Sequence, residues 1–471
     1  MILRRIAFLL LAFTALASAQ EKNKNPRLKD SFRQEKNGWI YLYLEGKPKE
    51  IGFQHGYHLA EEIDDAIKMF KLFTKQNTGK DWKFFREAAK KMLWVKVDLE
   101  YKEEIQGMAE GVQIKKKNYD YVDLTILNGW IELCQYYVPY LAEKMQQGAG
   151  DNKAPGNCSA FIATGSYTAD GKIAMGHNAW VDYIVGARWN IILDIAPTTG
   201  KRMFMDAFPG FIHSGDDFVI NSAGILYTET TITQFKGFNE TGVPEFVRAR
   251  KAAQYSESID DFIKIMTTEN NGGYANTWLI GDLNKNEIAK LELGLKNYKV
   301  WRTTDGMYYG SNFPTNEKLI AEETTFNTKD STNSPNARKA RWEKLSELNR
   351  GKIDIEVAKK METDGVDEVT QSPTPNRCMI AGRVDTDPKG CPEWGWSAYY
   401  PGGTVQGKVT TAELAKDLKF WAKAGVLVGE DFIAAEFLKQ HPEYKWQEPF
   451  LRDIKKHDWT LFEVKRSPSV K

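Results

Sequence analysis

The chain has 471 residues, 42% of them hydrophobic, enough to bury a large core as one big domain or as two or three units. With 64 basic and 63 acidic residues the net charge is +1, which excludes an electrostatic case for nucleic acid or for a generally acidic partner.

Residues 1–19 read as a signal peptide. Arg4 and Arg5 form a basic start, 6–17 is an apolar run too short to span a bilayer, and Ala17-Ser18-Ala19 is a cleavage site. The mature chain is expected to begin at Gln20 and to be secreted or periplasmic, since no later apolar run is long enough for a transmembrane segment. Residues 20–140 are mostly helical by pattern, with helical apolar spacing over 51–69, 103–112 and 121–140. Residues 146–157, rich in Gly, Ala, Asn and Gln, read as a loose connection. From Cys158 to Pro314 the chain is strand-rich. Strands are expected at 159–164, 172–176, 189–194, 218–220, 225–230, 277–280, 288–293 and 298–302, with one helix over 247–266. Residues 322–337 are polar and loop-like, and helices are expected at 338–348 and 411–423.

The interior Cys158, in Pro155-Gly156-Asn157-Cys158-Ser159-Ala160-Phe161, stands where the loose stretch meets a strand. Breaking the Asn157–Cys158 bond would free an α-amine that can act as base for the Cys158 thiol. Downstream, Thr168-Ala169-Asp170-Gly171 is a hairpin signal. Folding back there sets Cys158 opposite residues 180–183 and makes His177, Asn178, Trp180 and Asp182 its neighbours. The four cysteines permit two bridges in three connectivities. With Cys158 assigned as nucleophile, Cys378–Cys391 is the expected disulfide and Cys134 reads as a buried thiol. No G-x-S-x-G elbow, phosphate-binding Gly-rich loop or H-E-x-x-H motif is present. His55 and His58 lie three apart with no third ligand evident, so neither a metal nor a cofactor is expected.

These surroundings resemble the cysteine-type N-terminal-nucleophile (Ntn) hydrolases, in particular the penicillin acyltransferase family. Choloylglycine hydrolases and phospholipase B-like proteins are more distant relatives of the same style. The likeness runs through Leu44-Glu45-Gly46 to Gly52, His55-Gly56, Glu103 to Gly111, Leu127-Asn128, Cys158, Gly176-His177-Asn178, Asn221 to Gly224, Thr241 to Pro244, Thr277 to Asp282 and Gly310 to Pro314. Gly-His-Asn-Ala-Trp leans toward the phospholipase B-like branch, the upstream motifs toward the acyltransferases. The resemblance implies an α+β fold, a four-layer αββα sandwich. It also implies self-cleavage into a helical propeptide or small subunit, 20–157, and a catalytic large subunit, 158–471.

It further implies roles. Cys158 is the nucleophile, Asn312 an oxyanion donor, and Arg338 (Arg341 as alternate) a cation that lowers the thiol pKa. His177 orients the amine, contacts substrate or is structural. Where the acyltransferase and bile-salt families carry an acid, this chain has Trp180, and Asp182 is the expected replacement. Asn178, Trp180, Asn276 and Trp278 are expected to contact substrate, Trp278 reading also as core. Thr230 and Thr231 stand near where choloylglycine hydrolases carry another asparagine. The implied reaction is hydrolysis of a linear amide, or transfer of its acyl group, through a Cys158 thioester. The alternatives are a phospholipase B-like lipid ester hydrolase and a non-catalytic exported binding protein that retains the fold.

Overall fold

A computed structural model describes residues 25–145 and 158–465. The expected signal peptide and the expected cleavage residue Asn157 lie outside the described residues. In chain order the strands are β1 Phe32–Lys36, β2 Trp39–Gly46, β3 Cys158–Thr164, β4 Ala174–Asp182, β5 Ile191–Pro197, β6 Met203–Ala207, β7 Val219–Asn221, β8 Ile225–Thr231, β9 Asn276–Asp282, β10 Glu287–Leu293, β11 Tyr298–Thr303, β12 Gly306–Gly310, β13 Gly402–Thr411, β14 Lys419–Ala424 and β15 Thr460–Glu463. They form a nine-stranded sheet, β1-β2-β5-β6-β7-β8-β9-β10-β11, and a six-stranded sheet, β12-β3-β4-β13-β14-β15. The fold is mixed α+β.

Alternation of side chains across each strand divides the apolar residues between separate cores. Tyr41, Tyr43, Ile192, Phe204, Leu226 and Leu279 of the large sheet pack with Ala160, Ile162, Met175, Phe420 and Ala422 of the small one. Their alternates Leu42, Leu44, Ile191, Leu193, Met203 and Met205 join the core made with the N-terminal helices. On the small sheet, Phe161, Ala163, Ala174 and Val409 pack instead on Trp342, Leu345, Ala358 and Met361 of helices Ser334–Leu348 and Ile355–Glu362. Strands covered on both faces read as near-continuous apolar runs, and every residue of β3 and β4 is buried.

The section upstream of Cys158 is more than helical. The Trp39-Ile40-Tyr41-Leu42-Tyr43-Leu44 run forms β2, which lies between β1 and, in parallel, β5. Its rings and aliphatics alternate, a strand pattern that the helical reading of this section passed over. The helix expected at 411–423 is also corrected. This segment ends β13, makes one short helix over Ala412–Lys416, and continues as β14. Phe420, Ala422 and Ala424 are its buried alternate positions, and pairing with β13 and β15 overrides helix propensity there. The single helix expected at 247–266 is two, Glu245–Tyr255 and Ile259–Thr267, because Ser258 caps the second by accepting from the Asp261 N–H at 3.1 Å.

The upstream motifs have a structural meaning. Helix Pro48–His58 lies against helix Leu99–Ile114 through Gly52, Gly56, Gly107 and Gly111, where a Cβ on any of the four would overlap backbone of the other helix. This crossing presents His55, whose Nε2 accepts from the Gly210 N–H at 3.1 Å. Asn128 accepts from the Ile212 N–H at 2.8 Å and donates to the Gly210 carbonyl at 2.9 Å. Arg250, paired with buried Glu104 at 2.9 Å, donates to the Ile212 carbonyl at 2.8 Å. The N-terminal helices therefore hold the loop that leads to Asp216 and Asp217. Gly52→Ala should lower the unfolding free energy by about 1–3 kcal/mol or more, as overpacking does, read from the urea midpoint. An unchanged midpoint would mean the helices do not touch there.

Candidate active site

β3 and β4 pair antiparallel around the Asp170-Gly171 turn, Gly171 adopting φ +72°. Cys158 stands opposite Ala179 and Ala160 opposite His177, one residue short of the expected partner segment. The pairing sorts the expected site residues by face. Cys158 and His177 share the parity of Ala160, Ile162 and Met175, which look toward the large sheet. Ser159, Asn178, Trp180 and Asp182 share the opposite parity.

On the inner face the Cys158 thiol is fully buried and donates to Glu229 Oε1 at 3.7 Å. The sulfur, a His177 ring nitrogen and a Glu229 oxygen lie within 4.8 Å of one another. His177 is itself fully buried, with neither ring nitrogen hydrogen-bonded. Glu229 accepts from the Tyr274 hydroxyl at 2.9 Å. It also accepts from the Asn276 amide at 2.8 Å, in the amide orientation that satisfies its donors. Lys408 of β13 pairs with His177 across the ladder, and its Nζ donates to Asp206 at 2.9 Å and to Asp216 at 2.7 Å. Asp217 is buried in the left-handed region, φ +53°, with neither carboxylate oxygen hydrogen-bonded.

Low dielectric dominates the proton affinities here. Burial, then the Glu229 and Asp216 carboxylates, push the Cys158 thiol well above its usual range, while Lys408 opposes them. Burial and neighbouring Asp217 push Glu229 well up, and burial with Asp206 pushes Asp217 up to about 8. Burial and Lys408 hold His177 well below the usual histidine range, so its imidazole is neutral and can accept a proton. The thiol is thus protonated at rest and faces a neutral imidazole and a carboxyl.

On the outer face Arg338 holds the backbone of Cys158. Its guanidinium donates to the Cys158 carbonyl at 2.8 Å, to Ser159 Oγ at 3.0 Å, to Asn312 Oδ1 at 2.7 Å and to Ser334 Oγ at 2.9 Å. It stacks on Trp180 at 4.8 Å and Trp394 at 5.3 Å. Burial lowers its pKa to about 10, so it stays charged. Arg338 was expected to lower the thiol pKa. Burial outweighs the cations: the thiol is raised, Lys408 opposes the rise, and Arg338, which also interacts favourably with the Cys158 charge, holds the Cys158 carbonyl. Arg341 binds Asp364 at 2.7 Å and Glu368 at 2.5 Å, on the helix flank.

Other expectations sort as follows. Asn312, φ +73°, is linked to Cys158 through Arg338, and its amide donates to the Thr231 carbonyl at 2.9 Å. Asn276 joins the Glu229 cluster. Asp182 does not reach Cys158, because its strand parity turns it toward the Tyr400 hydroxyl, which donates to it. Asn178 donates to Glu362 at 2.9 Å, and the Trp180 ring N–H to the Ile380 carbonyl at 3.0 Å, both away from the thiol. Trp278 is core, packed edge-on to Tyr227 and Phe262. Cys378 and Cys391 are free thiols, so the expected disulfide is absent from this structure. Local bonds fix each loop separately, Asn376 accepting from the Cys378 N–H and Trp396 from the Cys391 N–H, both at 2.8 Å. His55 and His58 form no metal pair, since His55 serves Gly210 and His58 Nε2 lies 3.0 Å from Ser31 Oγ.

Sequence reasoning missed Glu229, Tyr274, Lys408 and the three aspartates. Glu229 in Leu226-Tyr227-Thr228-Glu229 and Lys408 in Val405-Gln406-Gly407-Lys408-Val409 carried a usable signal, a lone charge within a strand that must be buried.

A profile of the phospholipase B family matches residues 55–333, a span that includes Cys158, His177, Glu229, Tyr274, Asn276 and Asn312 and ends before Arg338 and Lys408. The chain belongs to the phospholipase B family. An uncharacterized protein of Archaeoglobus fulgidus is 26% identical over 255 residues, 52% of this chain and 42% of that protein. Phospholipase B-like 1 of Rattus norvegicus is 24% identical over 49% of this chain and 43% of its own length, and phospholipase B-like 1 of Homo sapiens 30% identical over 28% and 25%. The matches thus cover less than half of these relatives. No described helix is long and apolar enough to cross a membrane.

Burial raises the Asp182 carboxyl from 3.8 to about 6, the Tyr400 hydroxyl opposing. Between these values the folded chain keeps a proton that the unfolded chain has released, so stability present below pH 3.8 is lost as pH rises through about 6. Asp182→Asn should therefore lose less stability than wild type between pH 4 and 7 in urea titrations. Parallel losses would contradict the burial effect.

Proposed function

We propose that the chain is a self-processing thiol hydrolase that opens an acyl ester of a phospholipid-like substrate through Cys158. The observation that carries this reading is the two-sided hold on Cys158: its thiol faces His177 and Glu229, while its carbonyl is clamped by Arg338. The packing of helices, large sheet, small sheet and helices in successive cores supports the four-layer αββα arrangement. Family membership favours a lipid ester over an amide.

In self-processing, Sγ attacks the Asn157 carbonyl, the Asn157–Cys158 C–N bond breaks, and water hydrolyses the resulting thioester, leaving a free α-amine on Cys158. A free α-amine has a pKa near ~8 and accepts the thiol proton. The thiolate then attacks the ester carbonyl, the alkoxide leaves with that proton, and water releases the fatty acid from the thioester. His177, neutral and within 4.8 Å of the sulfur, becomes a second acceptor for the thiol proton if the two close to hydrogen-bond distance in the reacting complex. The second amide hydrogen of Asn312 serves the oxyanion, and losing such a donor typically costs about 10²–10³ in rate. Export to a secreted or periplasmic location follows from the N-terminal segment in the same reading.

Linear amide hydrolysis or acyl transfer is the second reading, favoured by the upstream acyltransferase-like motifs, which here hold the Gly210–Ile212 loop. Both share the thioester.

Intact mass under denaturing, reducing conditions, beside Cys158→Ala, tests the proposal. Two fragments split between Asn157 and Cys158 are expected in wild type and one chain in the variant. Fatty-acid release from phosphatidylcholine, against an N-acyl amide of the same chain length, then separates the two readings. A wild-type chain that stays whole and releases no acid from either substrate would leave a binding protein that keeps the fold.

A further inference from the structure

The inner face of the site has a donor set that the hydrolytic reading does not exhaust. One sulfur, one imidazole nitrogen and one carboxylate oxygen, from β3, β4 and β8, converge within 4.8 Å of one another. All three residues are fully buried. The His177 ring has no hydrogen-bond partner on either nitrogen, which is costly for a buried polar group and is relieved when an electrophile takes its lone pair. Tyr274 and Asn276 already donate to Glu229, fixing its carboxylate as an outer-shell partner fixes a metal ligand.

We propose that Cys158, His177 and Glu229 form an inhibitory zinc site that caps the nucleophile. Thiolate, imidazole and carboxylate are the three ligand types zinc takes, and three protein ligands leave a fourth position for water. On binding, the ion sheds water, the thiol and the Glu229 carboxyl each give a proton to solvent, and Zn–S, Zn–N and Zn–O bonds form. Two positive charges then meet one thiolate and one carboxylate, so the ion and its ligands are neutral overall, as a low-dielectric interior requires. Lys408 adds no uncompensated charge, because Asp206 and Asp216 both bind it. With its lone pairs on the metal, the sulfur can attack neither Asn157 nor an ester, so zinc holds the chain uncleaved and the processed enzyme silent until a chelator removes it. The inference rests on the proposed role of Cys158 for its consequence, whereas the metal itself is read without substrate.

The test uses the full chain, loaded with zinc chloride, dialysed against metal-free buffer and measured for metal per chain. Cobalt is substituted in parallel and its thiolate charge-transfer band recorded in the near ultraviolet. One zinc per chain and the cobalt band are expected in wild type, and the band should vanish in Cys158→Ser. His177→Gln and Glu229→Gln should each weaken zinc by more than the roughly 10–100-fold typical of losing an outer-shell partner. Cys378→Ser and Cys391→Ser should retain the metal, and a thermal melt of each variant reports that it is folded. Less than one zinc per wild-type chain, a band that survives in folded Cys158→Ser, or unchanged affinity in folded His177→Gln overturns the site. A chain that binds zinc in this pattern but never cleaves itself or a substrate would sink the hydrolase reading and leave the metal site standing.

Discussion

The arrangement depends on one buried guanidinium. Arg338 joins the Cys158 carbonyl and Ser159 of β3 to Asn312, which follows β12, and to Ser334 at the start of its own helix, and it rests between Trp180 and Trp394. Hydrogen bonds to a charged group contribute about 1.5–3 kcal/mol each, and burying the charge costs several. The Cys158 carbonyl, the residue proposed for the oxyanion and the start of helix Ser334–Leu348 are therefore tied together through one side chain.

Strand alternation lets this cation and the thiol serve one residue from opposite sides. The carbonyl of Cys158 is gripped from the outer face, while its side chain enters a pocket of carboxyls with Lys408 as counter-charge. The pocket favours protonated, neutral groups, its acids raised and its imidazole neutral. The large sheet supplies Glu229, and the N-terminal helices hold the loop toward Asp216 and Asp217. The segment upstream of Cys158 is consequently part of the site's architecture, through β2 and through the His55 and Asn128 contacts.

Much of the local structure was legible. The Asp-Gly turn located the β3–β4 hairpin to within one residue of its register, and eight expected strands correspond to β3, β4, β5 and β7 to β11. The two segments read incorrectly differ in cause: β2 carried a strand alternation that the helical reading passed over, whereas β14 becomes a strand only through its pairing with β13 and β15.

By itself the sequence determined the nucleophile candidate and its hairpin, because turn chemistry is a local property of the chain, while Asn312 and Arg338 were joined to Cys158 only by the family resemblance. Only the tertiary structure decided which face each residue takes and what meets it there. A one-residue difference in register turned Asp182, Trp180 and Asn178 away from the thiol, since side chains alternate with a period of two. Glu229, Tyr274 and Lys408 reach Cys158 from strands and loops far along the chain, and nothing short of packing two sheets together brings them there.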